Sequence, residues 1–191
     1  MGSPQSIAPF SFEDYLIWEA SQPEKQEFVR GEAFAMTGAR REHVTVAGNL
    51  FAAFKGHLRG GPCRSYIADM KVHVAIADAA FYPDVLVTCD PRDHAADLFM
   101  SHPKLVVEVL SDSTAAYDRG DKFADYRKLQ SLEEYVIVDI VARRVECFRR
   151  DASNHWVLFD YSGDDVCRFD SIDLAIPLAD VFEDLEPPSA A

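Results

Sequence analysis

The sequence predicts an α/β (α+β) fold: a mixed β-sheet flanked by helices, with a helix and hairpin at the N-terminus and an antiparallel meander at the C-terminus. Three observations carry this. Helix-like and strand-like patterns follow one another as αββα, three strands, a helix and more strands, the order of a sheet with helices packed on it. The stretch "KLVVEVL" is a short apolar run of the kind covered on both faces at the centre of a layered sheet. Three strand-like stretches toward the C-terminus are joined by short turns, as in a meander.

Taken in order, "SFEDYLIWEA" opens a first helix, with Ser11 and Asp14 at capping-box spacing and Phe12, Tyr15 and Leu16 on one face. "QEFVRGEAFAMTG" reads as two short strands turning near Gly31. "REHVTVAGNLFAAFKGHL" is the strongest helix. Val44, Ala47, Phe51, Phe54 and Leu58 recur at three- and four-residue steps, and Gly60, Gly61 and Pro62 end it. Strands are expected from Tyr66 to Val74, Tyr82 to Cys89 and Leu105 to Leu110. "STAAYDRGDKFADYRKLQ" reads as a capped helix in spite of Gly120. "EYVIVDI", "RRVECFRR" and "HWVLFDYS" read as the meander, turning near Val141 and Ser153. One domain is expected over residues 11–183, between a flexible N-terminus (1–10) and a flexible tail (184–191).

The bulk numbers describe an ordinary globular protein: 191 residues, 48% hydrophobic and 27% charged. Nineteen basic side chains against 32 acidic ones leave a formal net charge of -13, which speaks against a nucleic-acid binder with a basic face. Cys63, Cys89, Cys147 and Cys167 form no CxxC pair, so neither a disulfide scaffold nor a zinc ribbon is expected, and a reducing cytoplasm fits best. No segment has the length of a membrane span or the apolar core of a signal peptide. "MGSPQS" matches a myristoylation pattern through Gly2 and Ser6, and is read as a chance match. Phosphate loops, GxGxxG, GxSxG and HExxH are all missing.

Two acids stand where strands should be buried. Glu108 interrupts the apolar run, and Asp84 follows Pro83, whose missing N–H marks a strand start. An isolated charge is costly to bury. If the two strands are neighbours the carboxylates converge, and two like charges then call for a raised pKa or a cation between them. A hard divalent ion with oxygen ligands would satisfy both. The alternative is structural: Asp84 caps a turn, and Glu108 pairs with a buried arginine such as Arg127.

"YPDVLVTC" followed by "PKLVVEVLSDSTAAYDRGDKFADYRKLQSLEEYVIVD" resembles the putative restriction endonuclease family, once a domain of unknown function, within the PD-(D/E)XK nuclease superfamily. The resemblance extends from "FEDYLIWEA" to the C-terminal strands. Its most specific element is the string Glu108, Ser111, Thr114, Asp118, Lys122, Tyr126 with "EEYVIVD" after it. It implies a restriction-endonuclease-like fold and a metal-dependent endonuclease that hydrolyses DNA phosphodiester bonds. Asp84 and Glu108 would ligate Mg²⁺ or Mn²⁺, one ion or two, with the Val109 carbonyl as a third oxygen. The motif lysine should stand two residues after Glu108, where this chain has Leu110. Lys122, on the next helix, would take its place and assist the attacking water. Glu27 matches a glutamate shortly before the family's glycine, here Gly31, and would add a carboxylate; His43 would face the same cleft or the solvent. DNA is the implied substrate, with a homodimer as an option for cutting both strands. The competing expectation is a catalytically inactive nucleic-acid-binding or protein-interaction module on the nuclease fold. For "RRVECFRR" and "GARREH" the choice lies between phosphate contacts and a solvated sheet edge.

Overall fold

The computed structural model describes residues 10–36, 38–111 and 114–186. The chain begins with α1 (Phe12–Glu19), started by the expected capping box, in which Ser11 and Asp14 each hold the other's backbone N–H. The hairpin β1 (Gln26–Val29) and β2 (Glu32–Ala35) follows. It turns through Arg30 and Gly31, at φ of 51° and 83°. Two consecutive positive φ values are what a tight hairpin turn demands, and they explain the glycine. Next comes α2 (Arg41–His57), then β3 (Arg64–Ile67), β4 (Lys71–Val74), β5 (Ala79–Phe81) and β6 (Val85–Thr88).

Here the sequence reading needs correction. The stretch Tyr66–Val74 is divided between two strands, and the strand expected over Tyr82–Cys89 is shorter, Val85–Thr88. The chain breaks after Ile67, with Ala68 at φ 55°, and again after Phe81. Each break moves it between two sheets. Asp84 therefore sits one residue before β6 rather than inside it.

The chain continues through α3 (Pro91–His94), β7 (Phe99–Met100) and β8 (Pro103–Val109). The connection to the meander is helical: α4 (Ala115–Tyr117), a π-helical turn over Asp118–Lys122, then α5 (Phe123–Tyr126). The expected meander stands as β9 (Glu134–Asp139), β10 (Arg144–Arg150) and β11 (Trp156–Tyr161). Beyond it lie β12 (Val166–Phe169), β13 (Leu174–Pro177) and α6 (Leu178–Val181), which the sequence reading did not separate.

Among the described residues the strands form a six-stranded mixed sheet, β11-β10-β9-β8-β6-β3, a five-stranded sheet, β2-β1-β5-β4-β7, and the pair β12-β13. In the large sheet β8 is antiparallel to β6 and parallel to β9, and the helical connection makes the crossover a parallel pair requires. Side chains alternate across β8. Leu105, Val107 and Val109 pack with Val46, Leu50 and Phe54 of α2. Val106 and Leu110 pack on the other side, with Phe123 and Tyr126 of α5 and Val72, Val74 and Phe81 of the small sheet. Glu108 shares that second face, between the large sheet and the layer made by the small sheet and the connecting helix.

Three smaller expectations change as well. Val44 is exposed, and the buried face of α2 is Val46, Ala47, Leu50 and Phe54. Phe10, assigned to a loose terminus, packs against Trp18 and Phe28. At the other end Leu185 lies on the core and the Glu183 carbonyl accepts from Asn49; residues 1–9 and 187–191 are outside the described residues.

The cysteines are not four separate thiols. Cys63 and Cys89 form a disulfide, while Cys147 and Cys167 are free and buried. The cause is strand register. Arg64 pairs with Thr88 across β3 and β6, and the next residue outward on each strand is a cysteine. This bond corrects the reading of an all-reduced protein. No helix among the described residues is long and apolar enough to cross a membrane.

Candidate active site

The ladder between β6 and β8 pairs Val85 with Val107, so Asp84 arrives opposite Glu108 as the strands are followed one step further. Residues facing each other across an antiparallel pair point to the same side. A cavity of about 440 Å³ opens there, and Glu27, Asp84, Glu108, Asp118 and Lys122 all line it. Every side chain that the sequence singled out as catalytic is thus brought to one place.

Lys122 is the hub. Its Nζ lies 2.9 Å from Glu108 Oε1, 3.0 Å from Glu27 Oε1 and 3.7 Å from Asp118 Oδ1. Lys122 is 5% exposed, Glu108 4% and Glu27 7%. The π turn aims it: Asp118 and Lys122, four residues apart, both face the acids. The turn is fastened to β9 by the Tyr135 hydroxyl, which donates to the Asp118 carbonyl at 2.9 Å. Glu27 is steadied by the Tyr82 amide, which donates to its Oε1 at 3.2 Å. The β1–β2 turn is tied to α5 through Arg30 and Asp125 at 2.9 Å, so strand and helix hold Lys122 between them. The sequence alternative of an arginine partner for Glu108 is therefore replaced by a lysine from the next helix.

Leu110, where the motif lysine was expected, belongs to the apolar cluster that also holds Phe123 and Tyr126. The two positions have exchanged roles. The strand residue packs, and the helix residue carries the charge.

Asp84 is held differently. Its Oδ2 accepts the Val109 amide at 2.7 Å and stands 3.3 Å from His43 Nε2. His43, which the sequence left between cleft and surface, belongs to the site, brought there by the first turn of α2. Its signal was the position: one of the first residues of the helix that packs on β6 and β8.

Electrostatics follow from burial and crowding. Burial pushes the Glu108 carboxyl well above the usual carboxylate range, with the Lys122 charge pulling back. Asp118 is raised for the same reason. Burial works against the Lys122 ammonium, but Glu108 and Glu27 outweigh it and keep it protonated. His43 is raised above the ordinary histidine value: burial lowers it, and the Asp84 carboxylate more than compensates.

Four carboxyl groups, Glu27, Asp84, Glu108 and Asp118, share one ammonium and one imidazole. Glu108 Oε1 is buried and, although near Nζ, has no hydrogen-bond partner among the described residues. The donors are hard oxygens. No group of three or more His, Cys, Asp or Glu side chains among the described residues is gathered as a metal cage. Hard carboxylate oxygens are the donor type that Mg²⁺ and Mn²⁺ take.

The basic stretches are occupied elsewhere. Arg144 pairs with Asp160, Arg149 with Glu134 and Asp170, and Arg150 donates to the carbonyls of Arg127 and Leu129. Arg41 pairs with Glu186.

A family model described as "Uma2: Putative restriction endonuclease" matches residues 12–178. The uncharacterized protein slr1290 of Synechocystis sp. (strain ATCC 27184 / PCC 6803 / Kazusa) is 36% identical over 181 residues, covering 93% of this chain and 95% of that protein. A second uncharacterized protein of that organism, sll1609, is 30% identical over 153 residues, 79% of this chain and 86% of the other. The crystal structure of "a putative nuclease belonging to DUF820" from Anabaena variabilis ATCC 29413 matches with a TM-score of 0.73 at 16% identity, across 91% of this chain and 98% of that one. That likeness is one of fold.

Proposed function

Because the chain belongs to the Uma2, or "Putative restriction endonuclease", family, we propose that it is an endonuclease that hydrolyses DNA phosphodiester bonds with a Mg²⁺ or Mn²⁺ ion. Asp84, Glu108 and the Val109 carbonyl would hold the ion. The observation that carries this reading is the buried Lys122 ammonium set between Glu108 and Glu27 in the cavity that Asp84 also lines. A structural ion pair needs one partner. A lysine flanked by three carboxylates beside a cavity is built to meet a further charged group.

When bound, such an ion polarises a phosphoryl oxygen and acidifies a water. The protein's own groups do the rest. The Val109 amide and His43 fix Asp84 in one orientation. The Tyr82 amide does the same for Glu27. Lys122 supplies a fixed positive charge for the oxygens on which negative charge grows. The layers around it exclude water, which strengthens that interaction.

Incubation with supercoiled plasmid and Mn²⁺ tests the reading: the protein nicks the DNA, and Asp84→Ala and Glu108→Ala do not. Equal nicking by all three would reject it. The second reading, an inactive nuclease-fold interaction module, is favoured by one observation, the packing of Leu110 at the motif lysine's station. It requires that no divalent ion raise the melting temperature.

A further inference from the structure

The cavity has two kinds of wall. Its floor is the acid and lysine cluster. The rest of its lining includes the apolar side chains of Phe34, Met36, Tyr117, Ile140 and Val141, with Lys25 and Arg40 among them. Phe34 and Met36 are half-buried yet belong to none of the apolar clusters among the described residues. Val141 is 87% exposed. The Tyr117 hydroxyl is buried and has no hydrogen-bond partner among the described residues, a condition that folded proteins rarely leave without a purpose. Phe34 and Met36, which the core does not use, together with the unpartnered Tyr117 hydroxyl and a charged floor, describe a place for a ligand that is flat and apolar at one end and ionic at the other.

We propose that this cavity takes a single unpaired nucleotide, phosphate toward Lys122 and base against Phe34 and Tyr117, so that the substrate is single-stranded rather than continuous duplex DNA. The proposal rests on the nuclease reading and narrows its substrate.

Size supports it. About 440 Å³ lies within the roughly 300–1,000 Å³ of small-molecule pockets. Phosphates of a duplex lie on a convex cylinder, which rests on the rim and leaves them short of a floor whose Glu108 and Lys122 are 4% and 5% exposed. A lone strand can dip one nucleotide in. Charge supports it too. Duplex binding draws most of its strength from basic side chains on phosphates, but the β10 arginines are held by their own protein and the net charge is -13. A stacked base adds binding strength that does not come from basic side chains.

The test is fluorescence anisotropy in Ca²⁺ with a short labelled strand and with the blunt duplex of the same sequence. The single strand should bind at least about ten-fold more tightly, and Phe34→Ala should weaken it about ten-fold, the loss of one stacked base. Val141→Asp, at an exposed turn where folding is not at stake, should also weaken it. Equal affinity for duplex, insensitivity to both substitutions, or binding of neither probe overturns the proposal. Cleavage is scored separately. Equal cutting of duplex and single strand in Mn²⁺ overturns this inference and leaves the nuclease reading intact. Preferential single-strand binding with no cutting leaves the inference standing and removes the nuclease.

Discussion

Lys122 Nζ lies 2.9 Å from Glu108 Oε1, with both side chains closed off from solvent between a sheet and the helix that follows it. The pair is not symmetrical. Lys122 has Glu27 and Asp118 as further neighbours, whereas Lys122 is the cation that Glu108 meets. Removing the lysine strands several buried carboxylates at once, so Lys122→Met should cost about 3–5 kcal/mol in urea unfolding with EDTA. Glu108→Gln leaves the lysine with two acids and should cost clearly less. Added Mg²⁺ should recover part of the Lys122→Met loss. Equal costs for the two variants would contradict the hub.

The exchange of roles between Leu110 and Lys122 can be reversed. Lys122→Leu should reduce plasmid nicking about a hundred-fold, the usual scale for losing one positioned charge-stabilising group. Adding Leu110→Lys to that variant should recover much of the activity, because position 110 lines the same cavity. A double variant no better than the single one would show that the strand position cannot present its charge to the acids.

His43 gives a pH signature. Its folded-state value is raised, so its contribution to stability is complete below the ordinary histidine value of about 6.5 and is lost as the pH rises through the folded value. In EDTA, the stability difference between the protein and His43→Gln should therefore shrink from mildly acid to mildly alkaline pH. The histidine resonance followed by NMR should titrate above about 6.5, and Asp84→Asn should move it down. A difference that grows with pH has the wrong sign for this contact.

The Cys63–Cys89 bond closes a sequence separation of 26, for which chain entropy suggests a stabilisation of about 3 kcal/mol. Dithiothreitol should lower the melting temperature of the native protein and leave that of Cys63→Ser/Cys89→Ser unchanged. Thiol titration should find none accessible in the native state and two after denaturation, since burial pushes the Cys167 thiol up to about 12 and raises Cys147 still more. Four thiols on denaturation without reductant would show that the bond does not form.

Periodicity made the layered sheet, the capping box and the meander legible, because those features are written in neighbouring residues. Glu108 was legible as an anomaly, and the string up to Lys122 placed that lysine in the same site, although the partner expected for Glu108 itself was an arginine. Other features depended on contacts no single stretch contains. Ile67 ends a strand because the chain changes sheets, an event set by packing rather than by a breaker residue; the same change of sheet after Phe81 is marked in the sequence only by Pro83. Cys63 and Cys89 look unrelated until β3 and β6 are put in register. His43 looked like a surface residue because nothing near it in sequence announces Asp84, 41 positions on by their residue numbers.

The π turn has a consequence for how this chain tolerates change. Arg119 pairs with Glu146 at 2.9 Å, whereas Gly120 and Asp121 are exposed, and a Cβ on Gly120 would meet nothing, so the letters at these two positions are close to interchangeable. Their number is not. Each residue of a helix advances it by about 100°, so one insertion or deletion between Tyr117 and Phe123 would swing the ammonium away from the acids while the hydrophobic layer beneath stayed in place. A stretch that looks permissive to substitution is thus intolerant of a shift in length, and drift in this family should spare spacing there before it spares identity.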